Sequence, residues 1–168
     1  QIDAHLDLRD TDADFNDQPF GKLSHACVMR RASEAGFSTV HVGVRAYSKE
    51  ELEFVANTGS VVSFEWGQSR VPEVGEIVRA IHTPKVYITV DVDGFDPAHM
   101  PATGTPVQGG IEWYYGIRLL QEVFRIKNVV GFDIVEVAPR PNDKLTEYGA
   151  AQLLYSMLGF KLAKEMRK

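Results

Sequence analysis

Short apolar runs rich in β-branched residues recur along the chain, and they predict buried strands. The clearest runs cover residues 40–44, 60–64, 86–90 and 129–137. Residues 1–3 have the pattern of the last part of another strand. The run 86–90 contains no charged position, which is typical of a parallel strand that is buried on both faces of its sheet.

Between these runs, apolar residues recur at helical spacing. The predicted helices cover residues 24–35, 48–57, 72–81, 111–126 and 146–165. Ser24 is a suitable N-cap, and Ser48 with Glu51 forms a capping box. Alternating strands and helices predict an α/β fold of three layers, with a parallel β-sheet between helices on both faces. Residues 9–23 are polar and predict a long loop.

Composition limits the class of protein. The chain has 168 residues, of which 44% are apolar and 24% charged, as expected for one globular domain spanning residues 1–168. The net charge is −5 without a basic run, so we expect no nucleic-acid partner and no anionic membrane surface. No apolar run has the length of a membrane span. Cys27 is the single cysteine, which excludes an internal disulfide and favours a cytoplasmic location.

The first residues bear on whether the sequence is part of a longer protein. The chain begins at Gln1, without an initiator Met, inside the end of a predicted strand. We therefore expect it to be the C-terminal part of a longer protein, with N-terminal strands of the sheet missing.

Two clusters of carboxylates follow apolar runs. Asp3, His5 and Asp7 alternate along one segment, and Asp91 and Asp93 follow the run 86–90. Residues two apart share one face of a strand, and parallel strands bring their carboxyl ends to one edge of the sheet. Carboxylates gathered there would repel one another unless a cation lay between them. The two clusters together predict a metal site.

The ligand types narrow the choice of metal. Four carboxylates and one imidazole, without a thiolate, favour manganese or magnesium over structural zinc. Five ligands exceed what one ion needs when it also keeps water, so a pair of ions sharing carboxylates fits better. Each cluster taken alone is a weak signal, because such spacings also arise by chance in turns and on solvated surfaces.

The same residues carry a resemblance to a known family. Residues 3–7 match the D-A-H-x-D signature of the ureohydrolases, the arginase and agmatinase enzymes, and residues 90–110 resemble their second signature. Residues 133–137 resemble a third motif, read as D-I-V-E-V. The resemblance implies an arginase-like parallel sheet, a binuclear Mn²⁺ centre and hydrolysis of a guanidino group to urea and an amine by a hydroxide that bridges the ions.

The resemblance also implies roles for the metal ligands. Asp3 and Asp91 would bridge the two ions, His5 and Asp93 would bind one of them, and Asp7 would bind the other. A further histidine of the family, in a G-G-D-H motif, has no counterpart in this chain. We therefore expect the isolated chain to bind its two ions unequally and to be poorly active.

Catalytic and substrate-binding roles follow in the same way. Glu136 would receive the guanidinium of the substrate, with Thr105 nearby in support. His25 aligns with the proton-shuttling histidine of the family, and Asp7 would pass a proton to the leaving amine. Without the resemblance, His25 would be interpreted as a capping or surface residue.

The choice of substrate depends on the loop after the first signature. Residues 8–31 resemble agmatinases rather than arginases, as do residues 137–139. Agmatine, cleaved to putrescine and urea, is the predicted small-molecule partner, and arginine or another guanidino acid is the alternative. A non-catalytic binding or assembly module of the same fold is a hypothesis of another class. Family members are commonly homo-oligomers, so we expect one here.

Overall fold

The computed structural model describes residues 1–12, 21–67 and 70–166, and its strands run parallel. The strands are β1 (Thr39–Val44), β2 (Val61–Glu65), β3 (Lys85–Asp91) and β4 (Asn128–Val135). β1 pairs with β2, and β3 pairs with β4. All four predicted strands are confirmed, although β4 ends at Val135 rather than at residue 137.

The N-terminal segment joins these two pairs of strands into one sheet. Ile2 pairs in parallel with both Val42 of β1 and Val90 of β3. The amide of Asp3 donates to the Val42 carbonyl at 3.0 Å, and the amide of Asp91 donates to the Ile2 carbonyl at 2.8 Å. The order across the sheet is therefore β2, β1, the N-terminal segment, β3 and β4. This order places Asp3 and Asp91 side by side at the carboxyl edge.

Five α-helices lie between and after the strands in the described residues. They are α1 (Val28–Glu34), α2 (Lys49–Asn57), α3 (Val74–Ala80), α4 (Trp113–Ile126) and α5 (Leu145–Glu165). The capping box of α2 is present as predicted. The helix predicted from Ser24 begins instead as a 3-10 turn over His25–Cys27, with the Ser24 side chain as its cap, and becomes α-helical at Val28. None of the helices in the described ranges has the length and apolar character that a bilayer span requires.

Two apolar clusters hold the helices to the sheet. The larger one joins the strand residues Val42, Ile88 and Val90 to Phe124 of α4 and Met157 of α5. Continuous burial of these side chains removes their surface from water, which is the main favourable contribution to folding. The predicted α/β fold, with parallel strands and packed helices, is confirmed.

The smaller cluster lies beneath the loop that follows Asp3. Leu6 and Leu8 are fully buried there against Met29 of α1, Val44 of β1 and Val61 of β2. These contacts fix the position of the segment that carries the first carboxylate cluster.

Candidate metal and active site

The first carboxylate segment is held by its backbone. The carbonyl of Ala4 accepts hydrogen bonds from the amides of Arg45 and Ala46, at 2.9 and 3.0 Å. The carbonyl of Asp7 accepts from the first amides of α1, those of Met29 and Arg30, at 3.1 and 3.2 Å. Asp7 itself has a φ of 54°, in the left-handed region that a non-glycine residue rarely adopts. Strain of this kind persists only where the surrounding structure imposes it, and it is common at functional sites.

The second segment turns sharply after β3. The carboxylate of Asp91 accepts the Asp93 amide at 2.8 Å and so caps a 3-10 turn over Val92–Gly94. Asp93 reaches across to the first segment, where its Oδ1 accepts the Ala4 amide at 3.1 Å. A side chain at Gly94 has no room, because a Cβ there would lie 2.7 Å from the amide nitrogen of Asp3. Glycine is therefore required for the two segments to approach each other.

The predicted ligands meet at this approach. His5 Nδ1 lies 3.4 Å from Asp3 Oδ1 and 3.2 Å from Asp93 Oδ2. One ligand atom from each of these three residues lies within 4.8 Å of the other two. Asp7 is linked to Asp3 through Gln1, whose Nε2 lies 2.6 Å from Asp3 Oδ2 and 3.1 Å from Asp7 Oδ2. Of the five predicted ligands, the structure brings Asp3, His5 and Asp93 directly together, while Asp7 joins them through Gln1 and Asp91 through the Asp93 amide.

Burial makes the ionised form of these carboxyl groups unfavourable. Asp3 and Asp93 are only 2% and 1% exposed. Burial, together with the charge of Asp3, raises the pKa of Asp7 to about 8. Burial and the charges of Asp3 and Asp93 raise the pKa of Asp91 to about 9. Without a cation, these carboxyls keep protons at neutral pH because adjacent buried charges disfavour ionisation.

The same arrangement favours a positive charge on His5. Its hydrogen bonds to Asp3 and Asp93 raise the pKa of the imidazole to about 10. Asp93 is buried, which raises its pKa, but the hydrogen bonds and charge of His5 outweigh burial and hold the pKa below its usual value. The cluster thus holds a positive charge among its carboxylates. Hard oxygen donors with one imidazole also fit a divalent cation such as Mn²⁺.

A cleft of about 1750 Å³ opens onto this cluster and contains the other predicted residues. His25, Thr105 and Glu136 all line it. Glu136 directly follows β4 and has a φ of 62°, so two of the three non-glycine residues with positive φ in the described ranges are predicted site residues. The hydroxyl of Thr105 donates to Asp93 Oδ2 at 3.1 Å, which ties Thr105 to a candidate metal ligand rather than to Glu136.

Asp133 lies inside β4, opposite Thr89 and near the carboxyl end of the strand. Its carboxylate accepts hydrogen bonds from the hydroxyls of Tyr87 and Thr89, at 2.8 and 2.7 Å. Asp133 therefore links β3 to β4 within the sheet.

Sequence reasoning also missed two residues that contact the cluster. Gln1 bridges Asp3 and Asp7, and Arg45 binds the backbone around Asp93. A polar residue that directly follows a strand, as Arg45 follows β1, was an available signal because functional groups gather at carboxyl edges. Gln1 gave no comparable signal.

Comparison with known proteins identifies the family. The family model described as "Arginase family" matches residues 1–159. The chain belongs to the arginase family. This result confirms the resemblance to ureohydrolases that residues 3–7 and 90–110 indicated.

Within the arginase family, the chain is similar to enzymes that act on agmatine derivatives. It is 37% identical over 161 residues to the N(1)-aminopropylagmatine ureohydrolase of Synechocystis sp., an alignment that covers 95% of this chain and 51% of that protein. It is 36% identical over 161 residues to the agmatinase of Pyrococcus horikoshii, covering 94% and 53%. The solved agmatine ureohydrolase of Thermoplasma volcanium superposes with a TM-score of 0.83 at 30% identity, covering 99% and 55%.

The same alignments compare the length of this chain with the lengths of its relatives. The chain spans about half the length of the curated relatives that it matches. The activity of a whole protein of this family is therefore a proposal for this chain.

Proposed function

We propose that the protein hydrolyses the guanidino group of a small amine, with agmatine as the substrate and urea and putrescine as products, in the presence of Mn²⁺. The observation that carries the proposal is the buried meeting of Asp3, His5 and Asp93 at the edge of a cleft that Glu136 also lines. Membership of the arginase family supports a hydrolase of guanidino groups.

The metal ligands would be Asp3, His5, Asp7, Asp91 and Asp93. A pair of bound Mn²⁺ ions would supply water of lowered pKa and positive charge for the transition state. Among the described residues, His5 is the single imidazole within this group, so one ion would have an imidazole and the other only carboxylates. We therefore propose that the two ions bind with unequal affinity.

Glu136 would orient the substrate. A carboxylate accepts two parallel hydrogen bonds from a guanidinium, and this geometry fixes the plane of the central carbon. The left-handed backbone of Glu136 places it immediately beyond β4, at the cleft. Thr105 would act indirectly, because its hydroxyl holds Asp93.

Two residues would move protons. His25 is exposed in the cleft at a 3-10 turn capped by Ser24, so a bound substrate could reach its imidazole. Asp7 carries a raised pKa of about 8 in the metal-free cluster and would deliver a proton to the leaving amine.

The relatives support the preference for agmatine. Acidic residues in the loop over residues 9–23 would suit a substrate ammonium, but solvation explains them equally well. Asp12 is buried and accepts the Ser24 hydroxyl at 2.6 Å, with Arg9 3.5 Å away, so its charge is already compensated. Asp10 pairs with Arg31 at 3.0 Å and with Lys22 at 3.5 Å, and residues 13–20 lie outside the described residues.

Urea release tests the proposal directly. The protein, loaded with Mn²⁺, is assayed with agmatine, N(1)-aminopropylagmatine, arginine and 4-guanidinobutyrate. A chimera, in which this chain replaces the matching half of the Thermoplasma volcanium agmatine ureohydrolase, supplies a complete fold. Among the four substrates, we expect the chimera to have its highest kcat/KM with agmatine. Preference for arginine or guanidinobutyrate would establish the guanidino-acid alternative instead.

The non-catalytic alternative gives a different result in the same assay. A chimera that is folded and binds Mn²⁺, yet releases no urea from any of the four compounds, would identify a binding or assembly module. Assembly into a homo-oligomer stays a prediction that light scattering on the purified protein checks.

A further inference from the structure

Arg45 makes an unusual set of contacts beside the candidate metal site. Its Nη2 donates to the carbonyls of Asp93 at 2.7 Å, Val107 at 2.6 Å and Phe95 at 3.3 Å. Its Nη1 donates to Gly43 at 2.8 Å and Gly94 at 3.3 Å. Its Nε donates to Gln108 at 3.1 Å and to Val107 at 3.3 Å. One guanidinium therefore holds six backbone carbonyls from three segments.

These hydrogen bonds use the whole donor capacity of the side chain. An arginine has five N–H donors in a fixed plane, and a lysine has three on a mobile stem. In the part of the chain that the structure describes, Arg45 pairs with no carboxylate, and all of its side-chain hydrogen bonds go to backbone oxygens. A half-buried guanidinium whose donors all bind carbonyl oxygens fixes the position of the backbone and forms no ion pair.

The backbone at the same position holds the other ligand segment. The amides of Arg45 and Ala46 both donate to the carbonyl of Ala4, the residue between Asp3 and His5. His5 and Ala46 also form a parallel bridge. Residue 45 thus contacts the first ligand segment through its main chain and the Asp93 turn through its side chain.

A bulge in β1 allows this arrangement. The pairing of β1 with β2 changes register between Val42 and Val44, around Gly43. Gly43 has a φ of 100°, and a Cβ there would lie 2.9 Å from the Asp3 carbonyl oxygen. An extra residue in one strand redirects the side chains that follow it. The bulge accounts for a guanidinium that turns back toward the Gly43 carbonyl and the Asp93 turn.

We propose that Arg45 is a positioning residue for the metal centre. It fixes the Asp93 turn and the backbone of residues 107–108 relative to Asp3 and His5, and thereby sets the affinity for the divalent cation. Thr105, whose hydroxyl binds Asp93, lies two residues before Val107, so the same contacts also limit the movement of Thr105. The proposal rests on the metal site in the proposed function, but not on turnover.

Mn²⁺ titration of the 168-residue chain tests this role, with free Mn²⁺ measured by electron paramagnetic resonance. R45K keeps the charge but loses the planar donors, and R45Q gives up the charge as well. The matched control is R30K, because Arg30 is similarly shielded but pairs with Glu34 at 2.9 Å and lies 3.8 Å from the ring centre of Phe54. We expect R45K to weaken the tighter Mn²⁺ site by about 10–100-fold, the usual effect of removing a partner that orients a ligand. R45Q should weaken it at least as much, and R30K by less than about 2-fold.

Hydrogen exchange separates positioning from simple loss of stability. The amides of Gly109 and Gly110 bind Asp96 Oδ2 at 3.0 and 3.1 Å and report on the loop that Arg45 holds. In metal-free R45K at a temperature where circular dichroism shows a folded chain, exchange should accelerate in peptides covering residues 92–111 and stay unchanged in α4 and α5.

Each result has one interpretation. Unchanged Mn²⁺ affinity in folded R45K, or exchange that accelerates equally throughout the chain, would overturn the positioning role. Loss of the fold in both Arg45 variants would also overturn it and make Arg45 an architectural residue. If the unmodified chain binds no Mn²⁺, the metal site of the proposed function fails and the role of Arg45 fails with it. If Mn²⁺ binds and R45K weakens it while no urea is released, the role of Arg45 stands and only the proposed reaction fails.

Discussion

Protons and a divalent cation would compete for the same side chains at the candidate site. The pKa values of Asp7 and Asp91 are raised to about 8 and about 9, above the ordinary aspartate value of 3.8. The folded chain therefore keeps protons that the unfolded chain has released above about pH 4. The pKa of His5 is raised to about 10, so this residue also binds its proton more tightly in the folded state.

These shifts predict how stability depends on pH. Because the folded state binds more protons than the unfolded state, the free energy of unfolding of the metal-free chain should fall as pH rises from about 5 to 8. Mn²⁺ requires ionised carboxylates, so its binding should release protons and its affinity should rise over the same range. Urea denaturation at pH 5, 6.5 and 8, in EDTA and in Mn²⁺, measures both trends. D7N is the control, because it removes one titrating group and should flatten the slope in EDTA.

The second prediction at this scale concerns Glu136. E136Q in the chimera removes the charge that would pair with the guanidinium, and a hydrogen bond to a charged group contributes about 1.5–3 kcal/mol. We expect kcat/KM for agmatine to fall by roughly 10–150-fold, with Mn²⁺ affinity unchanged. E122Q is the control, because Glu122 pairs with Arg125 on α4. Equal activity of E136Q and the unmodified chimera would remove Glu136 from the substrate site.

At the scale of elements, sequence patterns located the strands well because burial on both faces leaves a continuous apolar run. The predicted run 86–90 ends one residue before β3 does, and Asp3 and Asp91 lie side by side as the sequence predicted, so the candidate ligands could be proposed from the sequence. The contacts of Asp133 were not predicted, because a carboxylate within a strand can be satisfied by cross-strand hydroxyls, and only the register of β3 and β4 shows this.

The bulge in β1 could not be predicted from the strand pattern. A single glycine inside an apolar run indicates either a bulge or close backbone approach, and the sequence around Gly43 does not say which segment approaches. The contacts of Arg45 depend on how three distant segments meet, so strand periodicity carries no information about them.

The close approach of the two ligand segments predicts the effect of substituting Gly94. In G94A, the added methyl would meet the Asp3 amide nitrogen at 2.7 Å and Ile2 Cγ2 at 2.9 Å, so backbone must move. Overpacking of this kind costs about 1–3 kcal/mol, and the shift of Asp3 relative to Asp93 should also weaken Mn²⁺ binding. G59A is the matched control, because a Cβ at Gly59 meets nothing within 4 Å. Denaturation midpoints and Mn²⁺ titrations of both variants measure the difference, and equal effects of G94A and G59A would contradict the prediction.

At the scale of the molecule, the sheet and its cleft determine how a substrate is held. The cleft extends from the candidate ligands along the open face of β3 and β4, where Tyr87 and Val130 are exposed. Its volume of about 1750 Å³ exceeds the roughly 300–1000 Å³ of a typical ligand pocket. A small guanidino compound would contact only part of this surface, and water would reach the remainder.

This geometry predicts weak substrate binding by the 168-residue chain. In the proposed mode, agmatine would contact Glu136 at one end and leave most of the cleft hydrated, so little apolar surface would be buried and charge-assisted hydrogen bonds would compete with water. We expect a dissociation constant in the range of about 1 mM or weaker, with Mn²⁺ present, by isothermal titration calorimetry. The chimera is the control, because the added half of the relative changes the cleft while the residues of this chain stay the same. Tighter binding by the chimera than by the isolated chain is expected; micromolar binding by the isolated chain would show that its own residues already enclose the substrate.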